Sequence, residues 1–327
     1  MNRLRFQLLF LLIICAFFLE GCQPSSPAAM REPSRTYAAQ NVVLVVIDGV
    51  RYSDSWGDSA YTNIPFMAKQ LAPQGLFHPA FYNQGVTLTM PGHVALTTGK
   101  YQRLSNRGSE LPLYPSIFHY YRQHSKTAAT DAWLITSKDK LEVLGKTYSQ
   151  EEVATFSPSS NCGVNGLGSG YRADEETLKI AKQIFQEHTP RLSLINLHEP
   201  DTEAHRGNWD GYLAAIKKSD RLVHDLWNWL QQHPHYRNNT TFIITNDHGR
   251  HPGRRFTDHG DGCESCRHIS LLMLGPDVPP GSRAKKPRTQ ADVAATVAEL
   301  LGFPFPKRDG EPMLELFKEE PLVEKAK

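Results

Sequence analysis

The chain has 327 residues, 40% of them hydrophobic and 21% charged, with a formal net charge of +2. That balance describes a globular protein with enough apolar residues for a large core. It excludes the strongly basic character of a nucleic-acid binder, and no internal apolar run reaches the roughly 18 to 20 residues that span a bilayer.

The first segment, MNRLRFQLLFLLIICAFFLEGC, places two arginines before an apolar stretch and a small residue before Cys22. This pattern reads as an export signal over residues 1–22. The sequence LEGC resembles a bacterial lipobox, which makes Cys22 the lipidated residue. The expectation is an exported lipoprotein on the periplasmic side of a bacterial membrane, anchored by its acyl chains; a plain secretory signal or an uncleaved anchor is the alternative. Residues 23–40, rich in Pro, Ser and Ala, form the tether.

From there apolar and amphipathic runs alternate. NVVLVVID (41–48) reads as a buried strand and PSIFHYYRQH (115–124) as a helix. AWLIT (132–136) is the next strand, followed by the Gly/Ser-rich loop SPSSNCGVNGLGSGYR (157–172) and a helix over 173–188. LSLINLH (192–198) is a strand, 211–233 a long helix, TFIITND (241–247) and ISLLMLG (269–275) are strands, and 290–302 is a helix. Strands without apolar–polar alternation are buried on both faces, which predicts a mostly parallel sheet covered by helices on each side. One α/β domain over residues 41–318 and a charged tail over 319–327 follow. Cys263 and Cys266 form a C-x-x-C pair. In an exported chain with no second C-x-x-C, that spacing favours a local disulfide over a zinc half-site.

Ligands of such sheets bind beyond the carboxyl ends of the strands. Asp48 follows the first strand, His198 to Asp201 the third, and Asp247-His248 the fourth. Asp201 and His205 are one helical turn apart, and His259 lies in the downstream TDHGDG. Three aspartates and three histidines supply hard oxygen and imidazole nitrogen donors suited to zinc or manganese, enough for two ions. Two metals about 4 Å apart can clamp both oxygens of an in-line phosphoryl displacement.

The ordered set VVIDGV, TMPGHVALTTG, EPDTEAH, TNDHG and DHGDG resembles the alkaline phosphatase superfamily, in particular its nucleotide pyrophosphatase/phosphodiesterase and phosphopentomutase-like branches. The resemblance implies an alkaline phosphatase-like three-layer α/β/α sandwich. It implies a first divalent ion, zinc or manganese, on Asp48, Asp247, His248 and the oxygen of Thr89, and a second on Asp201, His205 and His259, with His268 competing for the last place. Thr89 takes the nucleophile position, at a helix start where Pro91 costs nothing and free N–H groups favour an anion. Gly92 is expected to admit the substrate close to the backbone. Asn106 is the expected donor to the phosphoryl oxygens, with Arg107 and Arg267 as weaker choices. No cysteine stands in the C-x-P-S-R pattern of formylglycine sulfatases. The implied activity is hydrolysis of a small phosphate ester through a phospho-threonine; a phosphoryl or phosphoethanolamine transferase, a sulfatase-like hydrolase and an inactive metal-stabilised binding protein are the alternatives.

Overall fold

The computed structural model describes residues 35–319. The export signal, Cys22, most of the tether and residues 320–327 of the tail therefore lie outside the described residues. Among those described, no helix is long and apolar enough to cross a membrane.

Nine strands form one sheet: β1 (Asn41–Ile47), β2 (Leu76–Tyr82), β3 (Ala132–Thr136), β4 (Ser159–Cys162), β5 (Leu192–Leu197), β6 (Thr240–Thr245), β7 (His268–Leu274), β8 (Ser282–Arg283) and β9 (Arg288–Thr289). The spatial order is β4-β3-β5-β1-β6-β7-β2-β8, with β9 also paired to β2. Every pair is parallel except those made by β7, which runs against β6 and β2. The helices are α1 (Thr89–Thr98), α2 (Ile117–Ser125), α3 (Asp174–His188), α4 (Glu199–His205), α5 (Trp209–Gln232), the single turn α6 (Glu264–Arg267) and α7 (Ala291–Leu301).

The fully buried β1 shows why the strands lack alternation. Val42, Leu44 and Val46 pack with residues of α1, α2 and α7 on one face. Val43, Val45 and Ile47 pack with residues of α3 and α5 on the other. The result is the expected three-layer α/β/α sandwich with a mostly parallel sheet.

The five expected strands are all present. Four more were not legible as strands. β2 carries Pro79 and a register shift between His78 and Phe81, so its pattern is broken. β8 and β9 are two residues each. β4 is a polar edge strand pairing only with β3, and it occupies the start of the stretch expected to be loop from 157.

Register positions the site. Ile47 faces Leu197 of β5, Val46 faces Thr245 of β6, and Thr136 of β3 faces Asn196. Continuing each register past the ladder sets Lys138, His198, Asp48 and Asp247 level at the carboxyl ends of these strands.

Candidate metal centre

Asp48 extends its strand by one ladder bond, its N–H donating to Leu197 O at 2.9 Å. The chain then turns at Gly49, which has φ +67. A side chain there would collide with Arg250 Nη1 and Asp201 Oδ1, at 2.7 and 2.8 Å. The Gly49 N–H donates to Asp247 Oδ1 at 3.1 Å, and the His248 N–H donates to the same oxygen at 2.9 Å. Asp247 is thus oriented through one oxygen while Oδ2 faces inward. His248 Nδ1 pairs with Gly249 O at 2.8 Å, which points Nε2 toward Asp48 Oδ1 at 3.5 Å and Asp247 Oδ2 at 3.4 Å.

The second group starts on α4. Asp201 and His205 share one face, with His205 Nε2 3.4 Å from Asp201 Oδ1. His259 arrives from a loop, its Nδ1 held by Thr87 O at 2.8 Å. Its Nε2 lies 3.0 Å from His205 Nε2 and 3.5 Å from Asp201 Oδ1. The His248 and His259 rings stack at 3.8 Å, so the two groups adjoin. Donor atoms of Asp48, Asp247 and His248 cluster together, as do those of Asp201, His248 and His259.

Three observations fit this pocket to cations. Asp48 Oδ1, Asp247 Oδ2 and His248 Nε2 are buried with no hydrogen-bond partner, a state that native interiors avoid. The Asp247 carboxyl is pushed well above its ordinary range, by burial first and then by Asp48 and Asp201. Burial also holds His248 and His259 below the usual imidazole range, which keeps them neutral and ready to donate a lone pair.

Two cations already face the carboxylates. Lys138 Nζ lies 2.8 Å from Asp48 Oδ2, 2.6 Å from Asp201 Oδ2 and 3.2 Å from Thr89 Oγ1. Burial opposes its charge, but Asp201, Asp48 and Asp247 outweigh burial and hold it above the normal lysine range. Arg250 is fully buried, ion-paired to Asp201, and fixed by Phe256 O at 2.5 Å and Thr257 O at 3.0 Å. For Asp201, burial alone would raise the pKa; Lys138, His205 and Arg250 reverse this and bring it well below its ordinary value.

Thr89 is the first residue of α1 and is buried. Asn106 Oδ1 accepts the Met90 N–H at 2.9 Å, which places its amide beside Thr89 with the N–H₂ end left for a ligand. Lys140 Nζ donates to Asn106 O at 2.8 Å and ties that segment to the end of β3. Tyr171 covers Lys138 at 5.6 Å, so the C-terminal end of the 157–172 stretch reaches the pocket.

The structure therefore brings Asp48, Thr89, Asn106, Asp201, His205, Asp247, His248 and His259 together. Several expectations need correction. His268 begins β7, bonds Pro79 O at 2.8 Å and stacks on Tyr52 at 3.8 Å, away from the carboxylates. Arg267 is engaged by Gly262 O at 2.7 Å and Asn83 O at 3.1 Å, while Arg107 is exposed. Gly92 serves a backbone contact rather than a substrate: a Cβ there would sit 2.6 Å from Asp247 O. Cys263 and Cys266 are free thiols, not a disulfide. Lys138 and Arg250 are not among the residues expected from the sequence. Lys138 was open to the same strand-end rule, two residues beyond AWLIT; Arg250 directly follows NDHG.

A family model described as Metalloenzyme superfamily matches residues 84–305. Human GPI ethanolamine phosphate transferase 1 is 24% identical over 303 residues, which cover 82% of this chain and 32% of the relative. The protein of the same name from Emericella nidulans is 26% identical over 332 residues, covering 84% and 34%. The chain thus spans about a third of the length of these curated relatives. Among solved structures, alkaline phosphatase PafA superposes with a TM-score of 0.66 at 12% identity, covering 87% of this chain and 100% of that one. Murine ectonucleotide pyrophosphatase/phosphodiesterase 5 gives 0.64 at 14% identity, covering 85% and 100%. The fold is the alkaline phosphatase-like one expected.

Proposed function

The chain belongs to the Metalloenzyme superfamily, and on that premise we propose that it is a metal-dependent hydrolase of small phosphate esters acting through a phospho-threonine at Thr89. One observation carries this reading: a buried threonine hydroxyl at a helix start, 3.2 Å from a lysine ammonium that also bridges Asp48 and Asp201. Asp48, Asp247, His248 and Thr89 would hold one divalent ion, and Asp201, His205 and His259 the other. Zinc suits this donor set, with manganese as the alternative. When bound, the ions supply Lewis-acid stabilisation of the attacking and leaving oxygens.

The chain's own residues do the rest. The Thr89 oxygen forms a bond to phosphorus as the ester oxygen departs as the alcohol, taking up the proton the hydroxyl gives up through solvent, and Lys138 holds its N–H at Thr89 Oγ1 to favour the ionised oxygen. The Thr89 N–H at the start of α1 and the Asn106 amide would face the phosphoryl oxygens, while the Met90 and Gly92 N–H groups are already bonded to Asn106 Oδ1 and Leu88 O. Water then breaks the Thr89–phosphorus bond and restores the hydroxyl. Zinc-loaded protein should turn over nitrophenyl phosphate mono- or diesters, and Thr89→Ala should abolish this while Asp48, Asp247 and His248 still hold the first ion. Retained turnover in Thr89→Ala would overturn the mechanism.

A second reading keeps the phospho-threonine and replaces water by an alcohol acceptor. Its support is the likeness to proteins named GPI ethanolamine phosphate transferase over 82% of the chain. Turnover in the presence of added alcohols separates the two: phosphorylated acceptor in place of inorganic phosphate marks a transferase.

A further inference from the structure

His251, Asp261, Cys263 and Cys266 take no part in the constellation above, yet one donor atom from each lies within 4.8 Å of the others. The His251 ring turns Nδ1 toward both sulfurs, 3.3 Å from Cys263 Sγ and 3.7 Å from Cys266 Sγ. The sulfurs themselves are 3.0 Å apart. His251 and Cys266 are buried and Cys263 is half-buried, while Asp261 stands on the solvent side with Oδ2 3.5 Å from His251 Nε2.

The backbone has already drawn these residues together. Gly249 N–H donates to Cys266 O at 2.8 Å, His251 N–H to Asp258 O at 3.1 Å, and Cys266 N–H to Cys263 O at 3.0 Å. Asp261 Oδ1 accepts the Cys263 N–H at 3.0 Å. Arg51 Nη1 donates to His251 O at 2.9 Å, which anchors the segment to the loop after β1.

We infer that His251, Asp261, Cys263 and Cys266 form a separate zinc site that closes the loop carrying His259. Two thiolates and an imidazole are donors that select zinc over harder ions, and a carboxylate completes a four-ligand set. Each thiol releases its proton to solvent as its sulfur takes the metal. A disulfide would use the same two sulfurs but would give the inward His251 Nδ1 no role. The site joins residue 251, three positions after His248, to residues 263 and 266, shortly after His259. It therefore pins both ends of the segment that presents a ligand to the catalytic pocket.

Cobalt is the discriminating probe, because the catalytic donors include no thiolate. Full-length protein loaded with Co²⁺ should show a thiolate-to-cobalt absorption band, and Cys263→Ser/Cys266→Ser should lose it. Zinc-loaded wild type should hold one more equivalent of zinc than that double variant. An independent measurement on wild type alone covers a variant that fails to fold: alkylation in the absence of reductant. Cys263 and Cys266 should be protected in zinc-loaded protein and labelled once a chelator is added. Failure to label without reductant after chelation, or absence of the cobalt band in folded wild type, would overturn the inference.

Discussion

Two pockets of potential metal ligands lie close together, and they are built in opposite ways. The oxygen-rich pocket gathers Asp48, Asp201, Asp247, His205, His248 and His259 from strands, a helix and a loop far apart in the chain. Its carboxylates are balanced from within by Lys138 and Arg250. The sulfur-containing pocket takes all four donors from residues 251–266. Neither thiol needs a counter-charge until it loses its proton. A pocket that buries several carboxylates together is balanced by its own cations, whereas one of neutral thiols can fold without them. The stability gaps between wild type and variants of the two pockets should therefore respond to metal with opposite signs.

The largest effect expected is on chemistry. Thr89→Ala should lower turnover on the order of 10³-fold or more, as loss of a nucleophile does, while Asp48, Asp247 and His248 keep the first ion bound. Asp247→Ala should abolish turnover and metal at the first group together, because its Oδ2 is buried beside Asp48 and His248 with no hydrogen-bond partner. Metal analysis beside a phosphatase assay separates these two outcomes.

The contrast in sign is tested next. Lys138→Met leaves Asp48 and Asp201 without their shared ammonium, so the chelated protein should lose about 3–5 kcal/mol. Saturating zinc should narrow that gap, since bound cations replace the missing charge. Cys263→Ser/Cys266→Ser should do the reverse: little change in the chelated protein and a widening deficit as zinc is added to both proteins. Thermal melts of each variant and wild type, with chelator and with zinc, read this directly. Gaps that move in the same direction would show that the two pockets are balanced in the same way.

The smallest effect lies outside both pockets. Asp220, which accepts the Phe66 and Met67 N–H groups at 2.8 and 2.7 Å, is pushed up to about 6, chiefly by burial. The unfolded chain ionises this carboxyl from about pH 4, while the native state keeps its proton until about 6. Its contribution to stability is thus fully present at low pH, falls between about pH 4 and 6, and is constant above. Wild-type stability measured against Asp220→Asn should decline by ~1–3 kcal/mol across that window. A flat difference would show that burial of this carboxyl costs nothing.

Much of the oxygen-rich pocket could be read along the chain. Asp48, Asp247 and His248 follow apolar runs too long and too uniform to be anything but buried strands, and the ends of such strands are where a parallel sheet binds. Asp201 and His205 carry helical spacing. Lys138 follows a buried strand equally closely, yet a lysine after a strand looks the same in sequence whether it is solvated or enclosed. Only the level register of β3, β5 and β1 sets its ammonium between two carboxylates.

The sequence by itself determined the layers, the strand ends and the residue types able to bind a cation, because hydrophobic periodicity and donor chemistry are local properties. It also displayed Cys263 and Cys266, and could go no further than pairing them with each other. Only the tertiary structure decided that His251 turns its ring to both sulfurs, that His268 belongs to an aromatic stack, and that Gly92 makes room for a neighbouring backbone. Each of those outcomes depends on which segments the folded sheet and its loops bring within a few ångströms, a relation between distant residues that no local pattern records.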